Sequence, residues 1–145
     1  MTLLSHTEEI LGRLISYPTV STDPNIAMMG WMADHLEGLG AHVELFQDGS
    51  GTKANLFATL GPREPGGVVL SGHSDVVPVA DQDWVTDPFE MTERGDLLYG
   101  RGTCDMKGFI AAAMAMATPL SQASLRRPVH LCFTHDEEVG CLGAR

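Results

Sequence analysis

With 145 residues and 43% hydrophobic content the chain has the length of one ordinary domain and enough apolar side chains to build a core, so disorder is a poor default. Its formal charge of −10 argues against surfaces for nucleic acid or anionic membranes, because both are bound mainly through Lys and Arg. A protein with small-molecule or metal chemistry fits better.

The N-terminal segment has no basic stretch leading into an apolar one, and Glu8 and Glu9 fall where a secretion signal would continue. Ser5-x-x-Glu8 reads as a capping box, after which Ile10, Leu11, Leu14 and Ile15 share one helical face until Pro18 stops the helix. A second helix is predicted over residues 25–39, with Met28, Met32, Leu36 and Leu39 along one side and Gly40 as its stop. Its methionine stripe reads as core packing.

The period then becomes strand-like. Val43 and Leu45 alternate with polar neighbours, Asp48-Gly49-Ser50-Gly51 makes a loop, and residues 55–60 resume an extended apolar run. A turn-rich stretch over residues 61–67 leads into Val68-Val69-Leu70-Ser71-Gly72-His73-Ser74-Asp75, which reads as a buried strand that ends in a His and, two positions on, an Asp. Residues 78–102 have little periodicity and form an ordered excursion that ends in a short strand at 97–99. A glycine-rich segment carrying Asp105 precedes an all-round apolar, buried helix over residues 109–120. At nine apolar residues, 109–117 is far short of the ~20 that a membrane span needs. A last strand at 129–133 runs into His135-Asp136-Glu137-Glu138. Helices interleaved with strands give an α/β layered domain with a mixed sheet.

Three residue groups could carry chemistry. His73 with Asp75 is either a core histidine beside a turn aspartate or a metal-binding imidazole whose second nitrogen a carboxylate holds. Its place at the carboxyl end of a strand favours the second, since ligand sites of α/β sheets gather there. Asp105 is either a helix N-cap or part of that site. Glu137 and Glu138 are either a solvated acidic turn or a pair whose mutual repulsion a cation would relieve. One His with several carboxylates suits zinc, cobalt or manganese, and of two adjacent glutamates one can hold metal while the other takes a proton from water. The three cysteines, Cys104, Cys132 and Cys141, lack C-x-x-C spacing and point to a reducing cytoplasm rather than a disulfide framework. No serine-hydrolase elbow, phosphate loop or dinucleotide fingerprint is present. His6, His35, His42 and His130 fall in predicted scaffold, and His135 precedes the acidic cluster without an assigned role.

Taken together, V-V-L-S-G-H-S-D-V-V-P-V, the Trp84 and Asp87-Pro88-Phe89 loop, L-Y-G-R-G-T-C-D-M-K-G-F and D-E-E-V-G-C-L-G-A-R closely resemble the zinc aminoacylase/carboxypeptidase family, which includes acetylornithine deacetylases and succinyl-diaminopimelate desuccinylases. Gly102-Thr103-Cys104-Asp105 and Glu138-Val139-Gly140-Cys141 resemble the deacetylase branch. The resemblance implies a three-layer α/β/α zinc-exopeptidase-like catalytic domain, incomplete in this chain, and two divalent ions, zinc or cobalt. It implies that His73 binds one ion, Asp105 bridges both, Glu138 binds the other, Asp75 orients His73, and Glu137 is the general base and acid. A non-proline cis peptide after Asp105 is also implied. So are a small N-acylated amino-acid substrate and, for the full-length form, a homodimer.

Family members are considerably longer, and their further length supplies another acidic ligand, a histidine ligand and a dimerising lid. The chain is therefore expected to be the amino-terminal part of such an amide hydrolase, with weak metal binding and little turnover alone. The alternatives are a non-catalytic remnant, an interaction module that pairs with a separately encoded remainder, or a related desuccinylase or dipeptidase.

Overall fold

The alternation of side chains along one strand sets the plane of the fold. In a computed structural model describing residues 2–145, Ala54, Leu56, Ala58 and Leu60 of β2 (Ala54–Leu60) are buried on one face, and Asn55, Phe57 and Thr59 point the other way. β2 pairs antiparallel with β1 (His42–Gln47) and with β6 (Val129–Thr134), and β6 pairs parallel with β3 (Val68–His73). The order β1-β2-β6-β3 is thus a mixed sheet with the last strand of the chain inside it. A separate hairpin, β4 (Thr92–Arg94) with β5 (Leu97–Tyr99), closes the ordered excursion, where the Arg101 guanidinium lies 5.1 Å over the Trp84 ring.

Leu56 and Ala58 sit opposite Phe133 and Leu131, and the three helices cover this face. They are α1 (Leu3–Ile15), α2 (Ile26–Gly38) and α3 (Lys107–Ser121). α1 packs on α3, and α2 lies over β1 and β2. Of the side chains picked out by helical spacing, Leu14, Ile15, Met28, Met32 and Leu36 are fully buried there and Ile10 and Leu11 nearly so, whereas Leu39 is half-buried. α2 ends as its sequence requires: Gly40 at φ 82° donates to the Glu37 carbonyl and Ala41 to that of Leu36, a glycine-dependent close.

The capping box is displaced from its sequence reading. Thr2 and Ser5, not Ser5 and Glu8, exchange the reciprocal bonds, so α1 begins a turn earlier. α3 likewise starts two residues before its apolar run, because Lys107 is fully buried and its ammonium donates to the carbonyls of Leu14 (2.9 Å) and Tyr17 (2.6 Å) at the end of α1. Each of these carbonyls also accepts a backbone amide, Leu14 from Tyr17 (3.2 Å) and Tyr17 from Thr19 (2.8 Å), so the ammonium takes their second lone pairs.

A second correction concerns β3. It reads as a buried strand, yet Val68 and Val69 are more than half exposed and only Gly72 and His73 are buried. β3 is an edge strand, and among the described residues no α-helix covers the face bearing Val69, Phe57, His130 and Phe46. Phe57 and His130 stack on that face, ring centres 5.1 Å apart. Two of the three expected layers are therefore present. No helix among the described residues is long and apolar enough to cross a membrane.

Phe133 links β6 to the helical layer, and truncation to Ala should cost about 3–5 kcal/mol through lost burial and the cavity left behind. Urea denaturation of Phe133→Ala should show a lower midpoint with the slope unchanged.

Candidate metal centre

Parallel pairing of β3 with β6 decides which residues meet. His73 closes β3 directly opposite Thr134 of β6, so both strands release their chains at the same end of the sheet. Ser74 is fixed between them: its amide and hydroxyl both donate to the Thr134 carbonyl (2.8 Å each). Asn25 then bonds the Ser74 hydroxyl (3.1 Å) and both backbone groups of Ala54. Asn25 therefore offers no side-chain cap to α2; it ties the turn after β3 to the start of β2.

Asp75 is the buried hub. Its carboxylate accepts from the Ser21 hydroxyl (2.6 Å), the Glu137 amide (2.9 Å) and the Glu138 amide (3.2 Å). Burial alone would raise its pKa, but donation from His73, Ser21 and the two amides outweighs burial and holds the carboxyl well below its ordinary range. Ser21 is brought in by a short parallel bridge between Val20 and Val76.

His73 Nδ1–H donates to the Asp75 carbonyl oxygen (2.9 Å), with the Asp75 carboxylate at 3.5 Å. Backbone and side chain of Asp75 thus share the orienting role expected of its carboxylate alone. Fixing Nδ1 turns Nε2 outward, 3.0 Å from Asp105 Oδ1 and 3.9 Å from Glu137 Oε2. The imidazole pKa is raised to about 9, chiefly by hydrogen bonding to the Asp75 carboxylate, with burial opposing and Asp105 adding.

Asp105 follows the glycine-rich turn, in which Gly102 adopts φ 88° and accepts from the Lys107 amide (2.8 Å). Met106, not Asp105, occupies the N-cap of α3 and makes no side-chain cap, so capping does not explain the aspartate. The peptide between Asp105 and Met106 is cis. A Cβ on Gly108 would collide with the Thr103 carbonyl oxygen, so a larger residue there would displace the turn that carries Asp105.

The glutamates are aimed by what precedes them. Asp136 turns the chain at φ 56°, and its buried carboxylate pairs with Lys53, which also donates to the Ser21 carbonyl. Beyond, Asn55 brackets the loop by donating to the Gly143 carbonyl (2.6 Å) and accepting from the His135 amide (3.0 Å). His135 lies against Asp136, Nδ1 to Oδ2 at 3.1 Å, and is not among the converging donors. Donor atoms of His73, Glu137 and Glu138 lie within 4.8 Å of one another. Burial and then the Asp105 carboxylate raise the Glu138 pKa, a sign of crowded negative charge that a cation would relieve.

His73, Asp75, Asp105, Glu137 and Glu138, spread over 66 positions, are thus brought together, and the donor set fits a borderline divalent ion. Sequence reasoning did not find Ser21, Asn25 and Lys53, which carry no local motif; Asp136 was seen only as a member of an acidic run. All three cysteines are free.

The sequence pattern of peptidase family M20/M25/M40 matches residues 69–145. Acetylornithine deacetylase of Pasteurella multocida is 40% identical over 144 residues, 94% of this chain and 37% of that protein. Acetylornithine deacetylase of Photorhabdus laumondii is 40% identical over 145 residues with the same coverage. Human carnosine dipeptidase 1 superimposes with a TM-score of 0.82 at 28% identity, over 97% of this chain and 34% of that one. An M20 family metallo-carboxypeptidase from Sulfolobus solfataricus, 23% identical, shares the fold with a TM-score of 0.82, over 95% of this chain and 32% of that one. The chain spans 37% of the length of the curated relatives it matches.

A histidine pKa raised by folding contributes stability that is complete below the ordinary 6.5 and lost as pH climbs through about 9. The metal-free chain should therefore lose thermal stability between pH 6.5 and about 9, and zinc affinity should rise over the same interval as the imidazole gives up its proton. Calorimetric titrations across that range measure both. Asp75→Asn should weaken zinc binding by about 10–100-fold while far-UV dichroism stays native, because an amide cannot accept from three donors as a carboxylate does.

Proposed function

We propose that this chain, which belongs to peptidase family M20/M25/M40, is the amino-terminal part of the catalytic domain of a metal-dependent amide hydrolase of the acetylornithine deacetylase kind. The observation that carries the reading is the convergence of His73 Nε2 with the carboxylates of Asp105, Glu137 and Glu138 at the ends of two parallel strands. Identity of 40% to two acetylornithine deacetylases supports an N-acylated amino acid as substrate and acetate as the released acyl group. The three free cysteines suit a reducing cytoplasm.

In this reading His73, Asp105 and Glu138 would hold two divalent ions, zinc or cobalt. Bound there, the ions supply Lewis acidity toward water and an amide carbonyl. Asp75 keeps the His73 Nδ1 proton in place, so Nε2 presents its lone pair to the site. Glu137, its carboxylate 44% exposed beside the buried imidazole, is the group free to take a proton from water and pass it to the departing amine nitrogen. Glu138, as a residue that would hold metal, would not share that role.

The remaining length of such a hydrolase would add further ligands, a substrate-holding lid and a homodimer contact. The bare outer face of the sheet supports this: Val68, Val69 and Leu70 form a run apolar on both sides, as in strands covered twice, yet the outward side is exposed. A dipeptidase reading rests on the 28% identity to human carnosine dipeptidase 1 and differs only in the acyl group released.

By itself the zinc- or cobalt-loaded chain should show little turnover of N-acetylornithine. Joined to the carboxyl-terminal remainder of a full-length acetylornithine deacetylase, it should release acetate, and Glu137→Ala in that hybrid should lower kcat by about 10²–10⁴-fold. Acetate release by the isolated chain that Glu137→Ala abolishes would overturn the need for the remainder. A folded, metal-loaded hybrid that cleaves carnosine-like dipeptides but no N-acetyl amino acid would replace deacetylation with peptide hydrolysis.

A further inference from the structure

Met106 stands between two residues of the site and has no part in the chemistry assigned to them. Met28, Met29, Met32 and Met114 are fully buried and fill the core as apolar side chains. Met106 differs: it is half-buried, follows Asp105 directly, and turns its sulfur toward β3, where it accepts from the His73 amide at 3.3 Å.

The direction of that amide gives the contact its meaning. Amides along a strand point alternately to its two sides, and the Ser74 amide donates to Thr134 of β6, so the His73 amide points away from β6, toward the open edge of β3. His73 is buried, and a buried amide without an acceptor is costly. The Met106 sulfur supplies one. A thioether is a weak acceptor, but this one is firmly seated: a Cβ on Gly72 would lie 3.2 Å from the Met106 methyl and 3.4 Å from its sulfur, so the side chain rests in space that glycine leaves free. Behind it, the Met106 carbonyl accepts from the Ile110 amide (3.2 Å) in the first turn of α3, and the Lys107 ammonium ties that turn to α1.

We propose that Met106 is a positioning residue of the metal centre: its thioether holds the His73 backbone against the turn that carries Asp105, and so sets the 3.0 Å approach of His73 Nε2 to Asp105 Oδ1. Asp75 fixes the direction in which the ring points; Met106 fixes where its backbone stands relative to Asp105. The importance of this for hydrolysis rests on the function proposed above, whereas the contact itself does not.

Hydrogen exchange read by NMR on the metal-free chain tests the contact. In the unmodified chain the Val69 and Ser71 amides, which face the same open edge, should exchange fast and the His73 amide slowly. Met106→Leu conserves volume and removes the acceptor, and should speed exchange at His73 by about tenfold or more. Met106→Gln, which returns an acceptor, should restore much of the protection. Phe109→Leu trims the other side chain that lies against Gly72 but spares the sulfur, and should leave His73 exchange as in the parent. Zinc affinity, measured by calorimetry, should fall about threefold or more in Met106→Leu and hold in Phe109→Leu. Fast exchange at His73 in the unmodified chain, equal acceleration by Phe109→Leu, or zinc affinity unaltered in a folded Met106→Leu would overturn the proposal. A parent chain that binds no zinc at all would instead sink the metal-centre reading, and the positioning role with it.

Discussion

The centre depends on one buried negative charge. Asp75 lies at the junction of three segments: the end of β3, the bridge at Val20 with Ser21, and the turn that carries Glu137 and Glu138. An ionised carboxylate is costly to bury unless donors surround it. Here a hydroxyl, two amides and an imidazole do so, and hydrogen bonds to a charged acceptor are roughly twice as strong as neutral ones. The same bonds that stabilise the charge also fix the direction of both glutamates and the tautomer of His73. Geometry and electrostatics are therefore one device, and loosening the first would degrade the second.

A further ring of polar contacts keeps that device in register. Lys53 bridges the Asp136 carboxylate and the Ser21 carbonyl, Asn25 joins β2 to Ser74, and Lys107 anchors the start of α3 to the end of α1. Each bond spans dozens of residues, so no single segment can shift without breaking contacts to others. Lys107 is the extreme case: burial depresses its pKa to about 7, and its ammonium is held by the carbonyls of Leu14 and Tyr17 rather than by any counter-ion among the described residues.

The extent to which this was legible in the sequence follows from the range of each interaction. Periodicity is local, so the helices bearing Leu14 and Met32 and the apolar strand over residues 55–60 could be read directly. The strand ends bearing His73 and Glu137 could be read too, because apolar runs stop abruptly there. The capping box was misplaced because Thr2 and Ser5 satisfy each other's amides as well as a Ser and Glu would. The exposure of Val69 was hidden because an apolar strand carries no record of whether its second face is covered. Ser21, Asn25 and Lys53 were invisible because their partners lie 29 to 83 positions away.

The position of β6 inside the sheet also sets an order of assembly. β3 has one neighbour, β6, which is made last and must enter between β2 and β3, closing loops of more than fifty residues. Until residue 129 is available, the strand that carries His73 has no partner, and α1, α2 and the β1–β2 hairpin can associate without it. Long-range pairing of this kind is slow, because the entropy of closing the chain is spent before any contact returns it. The candidate centre, whose groups follow β3 and β6, therefore comes together at the final topological step, and the meeting of His73 with Glu137 and Glu138 marks completion of the sheet.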